Sequence, residues 1–192
     1  MNEKTALGRE GAIVMGIDPG LGATGWAVVS GGVDSCELLA AGAIRTDARA
    51  AMAERLLVIC NRVRDLVANH GPADVAIEDV FLAKDARAAF ALGQARGAAI
   101  VGAALANRLA FSYTALQVKQ SVTGHGRASK EQVGYMVRNM LHLEDVLQPM
   151  DASDAAAVAI CHWMKRGSSG LTEILGGTGG TVSAAKGQRG GM

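Results

Sequence analysis

Four acidic residues stand where carboxylates could do chemistry. Asp18 and Glu78 each directly follow a short apolar run that predicts a buried β-strand. Asp151 and Asp154 are three residues apart at the start of a predicted helix, so both side chains can reach one ion. Burying a carboxylate is costly unless it is protonated, paired, hydrogen-bonded or bound to a metal. Together the four acids predict a metal site.

Each acid taken alone has a simpler structural explanation. Asp18 precedes Pro-Gly and fits a turn residue, and Glu78 fits a polar residue that leaves the edge of a sheet. Asp151 and Asp154 fit acids that cap a helix N-terminus and interact favourably with its dipole. No lysine or arginine lies nearby in sequence to neutralise that pair. The combination of all four acids favours the metal site.

The ligand types indicate which metal and which reaction to expect. Oxygen ligands without histidine or cysteine select Mg²⁺, with Mn²⁺ as a substitute, over zinc. Two ions per site, about 4 Å apart, could activate water on one side of a phosphodiester and stabilise the leaving oxygen on the other. Hydrolysis is the reaction class that this donor set implies, rather than redox chemistry or acyl transfer.

The elements predicted around the acids form an α/β fold. Apolar runs bounded by turn residues predict five strands, and the first three form an antiparallel meander; the strands cover residues 13–17, 24–30, 36–44, 75–78 and 111–116. Helical spacing predicts helices over 50–70, 86–109, 130–141 and 151–165. Residues 118–130 predict a loop or a short helix. The helix over 86–109 is rich in alanine and glycine, which suits a closely packed helix pair or a dimer contact.

Length and composition favour a single globular domain. The 192 residues are 49% hydrophobic, which excludes a chain disordered throughout. We expect a flexible N-terminal extension over residues 1–12, one domain over 13–166 and a disordered glycine-rich tail over 167–192. The net charge of +1 means that nucleic-acid binding would need a local basic surface.

Cysteine usage and hydropathy bear on the compartment. The three cysteines lack disulfide or metal spacing and are expected to be reduced and mostly buried. The N-terminus has no apolar signal core, and the most apolar later stretch, residues 98–106, is short for a membrane span. We therefore expect a cytoplasmic protein with no membrane partner.

Several motifs in order resemble the RuvC-type crossover junction endodeoxyribonucleases, a family with the ribonuclease-H-like fold. The resemblance runs over residues 13–159. Its motifs are Gly16-Ile17-Asp18-Pro19-Gly20 with Thr24-Gly25, Ile77-Glu78-Asp79-Val80-Phe81, Leu92-Gly93-Gln94-Ala95-Arg96-Gly97, Gln117-Val118-Lys119-Gln120, Gly124-His125-Gly126 with Lys130, and Asp151-Ala152-Ser153-Asp154-Ala155. The first motif alone is weak, because several nucleotide-handling families share it, whereas the ordered set is specific.

The resemblance implies a ribonuclease-H-like five-stranded mixed sheet flanked by helices, and a homodimer that binds a four-way Holliday junction. Such an enzyme cuts two strands of like polarity symmetrically, leaving 5′-phosphate and 3′-hydroxyl ends, during homologous recombination and DNA repair. The family also suggests a RuvA–RuvB branch-migration complex as a partner.

The same resemblance assigns roles to residues by motif. Asp18, Glu78, Asp151 and Asp154 would be metal ligands, with Glu78 preferred to Asp79 because successive strand residues face opposite sides. Lys119 and Lys130 match lysines near the scissile phosphate, where a fixed cation could offset developing charge. Phe81 matches an aromatic that stacks on a base at the crossover. Further candidate DNA contacts are Lys84, Arg87 and Arg127.

Two other functions remain open from the sequence. Actin-like and sugar-kinase phosphotransferases carry a similar Asp-x-Gly turn and Thr-Gly, but they normally duplicate the domain, and this chain shows no repeat. An inactive junction-binding module is the second alternative. Its surface would gain nothing from carboxylates placed beside phosphates.

Overall fold

A computed structural model describes residues 12–32, 35–79 and 86–168. Its five strands are β1 (Ala12–Asp18), β2 (Ala23–Gly32), β3 (Ser35–Arg45), β4 (Asp74–Asp79) and β5 (Ala110–Thr114). Its five helices are α1 (Met52–His70), α2 (Ala86–Leu105), α3 (Ala115–Thr123), α4 (Lys130–Met140) and α5 (Met150–Ser168). Residues 1–11 and 169–192, which make up most of the two predicted flexible ends, lie outside the described residues.

The strands form one mixed sheet in the order β3-β2-β1-β4-β5. β1, β2 and β3 pair antiparallel as the predicted meander, while β4 and β5 run parallel to β1. The parallel register places Ile17 of β1 beside Ile77 of β4. Asp18 and Glu78, which follow these two isoleucines, therefore lie side by side at the carboxyl ends of β1 and β4.

The two faces of the sheet bury separate hydrophobic clusters. Met15, Ile17 and Ile77 pack with buried residues of α1 and α2. Val14 and Ala76 pack on the other face, against α3, α4 and α5. Because strand side chains alternate, Asp18 and Glu78 lie on the α5 face of the sheet.

The predicted five-stranded mixed sheet flanked by helices is confirmed, with local differences in bounds. The helix predicted over 86–109 ends at Leu105, because the chain turns at Asn107, whose φ is 57°. The strand predicted to reach residue 116 ends at Thr114, whose side chain accepts a hydrogen bond from the Gln117 amide and caps α3. The loop or short helix predicted over 118–130 contains the second half of α3 and then the turn that leads into α4.

α2 packs on α1 through small residues. A Cβ added at Gly102 would lie 2.4 Å from the Cys60 carbonyl oxygen, so the two helix backbones approach closely. Among the described residues, α2 is also the helix that is long and apolar enough to cross a membrane by length and composition alone. Its buried face lies against the domain core, and its other face carries exposed apolar side chains.

No disulfide joins the described cysteines. Cys161 is buried, but Cys36 and Cys60 are only partly buried. The expectation of mostly buried cysteines is therefore wrong for two of the three.

Candidate active site

Asp18, the first strand-end acid, is followed by a turn that the chain stabilises locally. Thr24 is fully buried, and its hydroxyl donates to the Gly20 carbonyl oxygen at 2.8 Å. The Gly20 amide in turn donates to the Thr24 hydroxyl oxygen. This exchange fixes the chain immediately after Asp18, so the carboxylate leaves β1 beside β4 and Glu78.

Two glycines allow α5 to lie directly on the sheet. A Cβ added at Gly16 would lie 2.0 Å from the Ala155 carbonyl oxygen, and one added at Gly25 would lie 1.9 Å from the Asp151 carbonyl oxygen. Gly25 is the register partner of Asp18 on β2. The N-terminal end of α5, with Asp151 in its first turn and Asp154 just after it, is thereby brought to the edge where Asp18 and Glu78 lie.

Burial and mutual repulsion disfavour the ionised forms of the acids in this cluster. Burial raises the pKa of Asp18 from 3.8 to about 8, with further increases from Glu78, Asp154 and Asp151. Burial also raises the pKa of Glu78, and Asp154 adds to that effect. The four acids therefore share one local field, and the cluster favours either a proton or a compensating cation.

Both predicted lysines lie beside the acids. The Lys130 ammonium donates to the Asp154 carboxylate at 2.7 Å. Its positive charge also counteracts the raised pKa values of Asp18 and Glu78, and Lys119 acts on Glu78 in the same way. The sequence around Asp151 and Asp154 contains no lysine or arginine. The cation beside this acid pair comes instead from α4, 24 residues before Asp154.

Asp79 has a different environment, as strand alternation requires. Its carboxylate lies 3.3 Å from the Arg96 guanidinium of α2, on the opposite face of the sheet from α5. Arg96 also donates to the Ser112 hydroxyl at 2.6 Å. Arg96 therefore has a structural contact, and Glu78 rather than Asp79 faces the other acids.

The predicted DNA contacts are only partly described. Phe81 and Lys84 lie outside the described residues. Arg87 is exposed in the first turn of α2, and Arg127 is exposed in the turn just before Lys130. The latter position puts a second basic side chain in the segment that leads to the acidic cluster.

A buried polar network that local sequence patterns do not predict lies farther along α5. Nδ1 of His162 is 2.8 Å from the Tyr113 hydroxyl, and its Nε2 is 3.3 Å from Asp74 Oδ2, without hydrogen-bond geometry for the second contact. Asp74 also pairs with Arg166. Burial lowers the pKa of His162. His162 therefore belongs to a buried contact network that joins α5 to β4 and β5.

The donor chemistry of the cluster fits a hard divalent cation. Its four acidic side chains offer only carboxylate oxygens, which Mg²⁺ and Mn²⁺ prefer. Within the described residues, no three acidic, histidine or cysteine side chains already converge as ligands around one point. One Asp154 oxygen is occupied by Lys130 instead. The fit therefore rests on donor type and on the unbalanced negative charge around Asp18.

Sequence comparisons place the chain among junction-cutting nucleases. The family "Crossover junction endodeoxyribonuclease RuvC" matches residues 14–162. Proteins with that name from Pseudomonas fluorescens (strain SBW25) and Geobacter sp. (strain M21) are 49% and 47% identical to this chain. The alignments cover 81% and 83% of this chain and 88% and 96% of the relatives.

Structural comparisons agree with the sequence. RuvC from Thermus thermophilus is 34% identical with a TM-score of 0.76, over 82% of this chain and 96% of that one. The same protein in complex with a Holliday junction gives a TM-score of 0.77, over 82% and 97% of the two chains. The yeast mitochondrial Holliday junction resolvase Ydc2, at 12% identity and a TM-score of 0.60, covers 83% of this chain and 80% of its own, and shares the fold.

Proposed function

The chain belongs to the RuvC family of crossover junction endodeoxyribonucleases, and we propose from this that it resolves Holliday junctions by symmetric cleavage of two strands of like polarity. Membership of the family implies a metal-dependent nuclease. The observation that carries the proposal is the meeting of Asp18 and Glu78 with the first turn of α5 at one edge of the sheet. The Thermus thermophilus relative, in complex with its Holliday junction substrate, supports the choice of substrate.

Asp18, Glu78, Asp151 and Asp154 are the proposed metal ligands. Mg²⁺ is the proposed ion, with two per active site and Mn²⁺ as a substitute, because the donors are all carboxylates. When bound, such ions supply an activated water and stabilise charge on the phosphate oxygens. The chain itself contributes fixed positions for the four carboxylates through the Gly20–Thr24 exchange and the close packing of α5.

Lys119 and Lys130 are the proposed cationic groups of the reaction. Both already act on the electrostatics of the acidic cluster, Lys119 through Glu78 and Lys130 through all but Asp151. A phosphodiester bound at the cluster would therefore meet positive charge from α3 and α4. Such a fixed charge stabilises the negative charge that develops on phosphate during hydrolysis.

The proposed DNA contacts are Phe81, Lys84, Arg87 and Arg127. For Phe81 the family motif suggests stacking on a base at the crossover, and this aromatic contact tolerates many sequences. The exposure of Arg87 and Arg127 leaves both able to meet a phosphate backbone.

We propose a homodimer that forms through α2. Phe90, Val101 and Leu105 are exposed on this helix, at 75%, 52% and 59% of their surfaces. Gly93 and Gly97 lie between them, and a Cβ added at either would meet no atom within 4 Å. Two copies of α2 crossing antiparallel near Gly97 would bring Phe90 of each copy beside Leu105 of its partner, as a two-fold interface requires.

Membership of the family also supports a cytoplasmic enzyme that works with a RuvA–RuvB branch-migration complex. Three cysteines without a disulfide among the described residues agree with a reducing compartment. Branch migration would deliver successive junction positions to the dimer, which then cuts where the DNA fits both active sites.

The test is cleavage of a labelled synthetic four-way junction beside a linear duplex of matched sequence, with and without Mg²⁺. We expect paired nicks in the junction alone, and only with the metal. Equal cutting of the linear duplex would contradict junction specificity. ATP binding without cleavage would instead support the phosphotransferase alternative, and junction binding without cleavage would support the inactive module.

A further inference from the structure

Asp154 has one close cationic partner in the described structure, and the side chain of that partner is largely exposed to solvent. The Lys130 ammonium is 2.7 Å from Asp154 Oδ2, yet 68% of the lysine side chain is exposed, against 16% of the aspartate side chain. The aspartate side chain is therefore largely enclosed by the protein, whereas the lysine side chain is largely surrounded by solvent. Lys130 can leave Asp154 for water with little loss of packing.

The backbone at Lys130 is fixed although its side chain is largely exposed. Lys130 is the first residue of α4, and the preceding Ser129 accepts a hydrogen bond from the Gln132 amide. The Gln132 side chain in turn accepts a hydrogen bond from the Ser129 amide. This capping box holds the start of α4 beside the acids, so the ammonium remains within reach of the cluster after it leaves Asp154.

Lys130 and Lys119 differ in how they meet the acids. Lys119 acts on Glu78 by charge alone, whereas Lys130 also occupies a carboxylate oxygen that a divalent ion would need. Two cations near one carboxylate, here an ammonium and a metal ion, compete for the same oxygen lone pairs. Lys130 therefore has both an electrostatic and a steric reason to oppose metal binding at Asp154.

We propose that Lys130 is an exchangeable counter-cation of Asp154, which it leaves when a divalent ion binds and thereby becomes free to contact the DNA phosphate. This inference rests on the proposed metal site formed by the four acids. It makes Lys130 a positioning residue for metal loading, in addition to any direct role toward the phosphate. Metal binding and release of the lysine are then coupled: a bound ion displaces Lys130 from Asp154, and the Lys130–Asp154 contact weakens metal binding.

The consequence is that removing the ammonium tightens metal binding in the absence of DNA. Mn²⁺ is titrated into the full-length protein, and the unbound ion is measured by its electron paramagnetic resonance signal, which does not depend on activity. We expect Lys130→Met to bind Mn²⁺ at least about fivefold more tightly than the wild type. Lys119→Met is the matched control, because it removes a nearby positive charge without freeing a carboxylate oxygen, and we expect a change of about twofold or less.

The outcomes separate the exchange from the metal site itself. Equal tightening in both variants would mean that only overall charge matters, and would overturn the exchange. Unchanged or weaker binding in Lys130→Met would overturn it as well. If neither the wild type nor any variant binds Mn²⁺, the proposed metal site is wrong and the exchange falls with it. Circular dichroism of both variants verifies that they are folded.

Discussion

At the scale of single residues, Asp18 is the group whose chemistry the fold changes most. Its pKa is raised from 3.8 to about 8, first by burial and then by Glu78 and Asp154. A carboxyl with a raised pKa in the folded state favours folding while it is protonated. That contribution is present at low pH and is lost as the pH rises from about 4 through 8. A bound divalent ion would offset the cost of burying the ionised carboxylate at higher pH, because it neutralises the negative charge.

The fall in stability with rising pH gives a prediction for the metal-free protein. Asp18→Asn keeps the shape of the side chain but removes its charge, so we expect the variant to melt above the wild type at pH 9. The difference should be at least about 3 °C and should shrink toward pH 5, where Asp18 of the wild type is protonated. Differential scanning calorimetry in a chelating buffer measures both values. A difference that grows toward acid pH would contradict the raised pKa.

The same substitution tests the role of Asp18 in cleavage. Asp18→Asn should lower the rate of junction cleavage at least about a thousandfold, because loss of a metal ligand costs several kcal/mol of transition-state stabilisation. Junction binding should persist or tighten, since one negative charge near the phosphates is gone. Single-turnover cleavage and a gel-shift titration give the two readouts. Asp79→Asn is the matched control, because Asp79 faces Arg96 on the other side of the sheet, and cleavage should remain.

At the scale of elements, the site depends on how closely α5 lies on β1 and β2. A Cβ at Gly25 would lie 1.9 Å from the Asp151 carbonyl oxygen, so an alanine there must push the first turn of α5 away. We expect Gly25→Ala to destabilise the protein by about 1–3 kcal/mol and to lower cleavage further than this loss of stability explains. Chemical denaturation and cleavage at a temperature where the variant is folded measure the two effects.

The control for this substitution comes from the turn just before β2. Gly22 lies three residues earlier, and a Cβ added there would meet no atom within 4 Å. Gly22→Ala should therefore leave both stability and cleavage close to those of the wild type. If Gly25→Ala behaves like Gly22→Ala, the close packing of α5 does not position Asp151 and Asp154.

Much of this arrangement could be predicted from local sequence patterns. Apolar runs that end in an acid predicted β1 and β4, and strand alternation correctly separated Glu78 from Asp79. The resemblance to the RuvC family, its fold and its enzyme class are confirmed. The metal-ligand and DNA-contact roles of the individual residues stay predictions.

Other features depend on contacts between distant parts of the chain, and local patterns do not carry them. The pairing of Lys130 with Asp154 joins α4 to α5 across 24 residues. The role of Gly16 and Gly25 became clear only once α5 was placed on the sheet, although both glycines belong to the opening motif. The predicted end of α2 was wrong by four residues, because Ala106 and Leu109 continue its apolar pattern past the turn at Asn107.

At the scale of the whole molecule, cutting two strands within one junction requires two active sites held in a fixed relation. The exposed apolar side chains of α2 and the open space over Gly93 and Gly97 offer a surface for a second copy. Each subunit in such a dimer would keep its own acidic cluster, because α2 lies on the opposite face of the sheet from α5. A variant that no longer dimerises should therefore lose paired cleavage but still bind metal.

Leu105→Glu tests this relation by placing a charge in the proposed interface. We expect a monomer at micromolar concentration in sedimentation velocity, because an unpaired charge cannot be buried against Phe90 of the partner copy without a large cost. On a supercoiled plasmid that extrudes a cruciform, the wild type should give linear product from two cuts in one complex, and the variant mainly nicked circles. Leu39→Glu is the matched control, since Leu39 is 46% exposed on β3 at the far edge of the sheet. A dimeric Leu105→Glu protein that still linearises the plasmid would exclude α2 as the interface. Unchanged Mn²⁺ binding by a monomeric variant would show that each subunit holds a complete metal site.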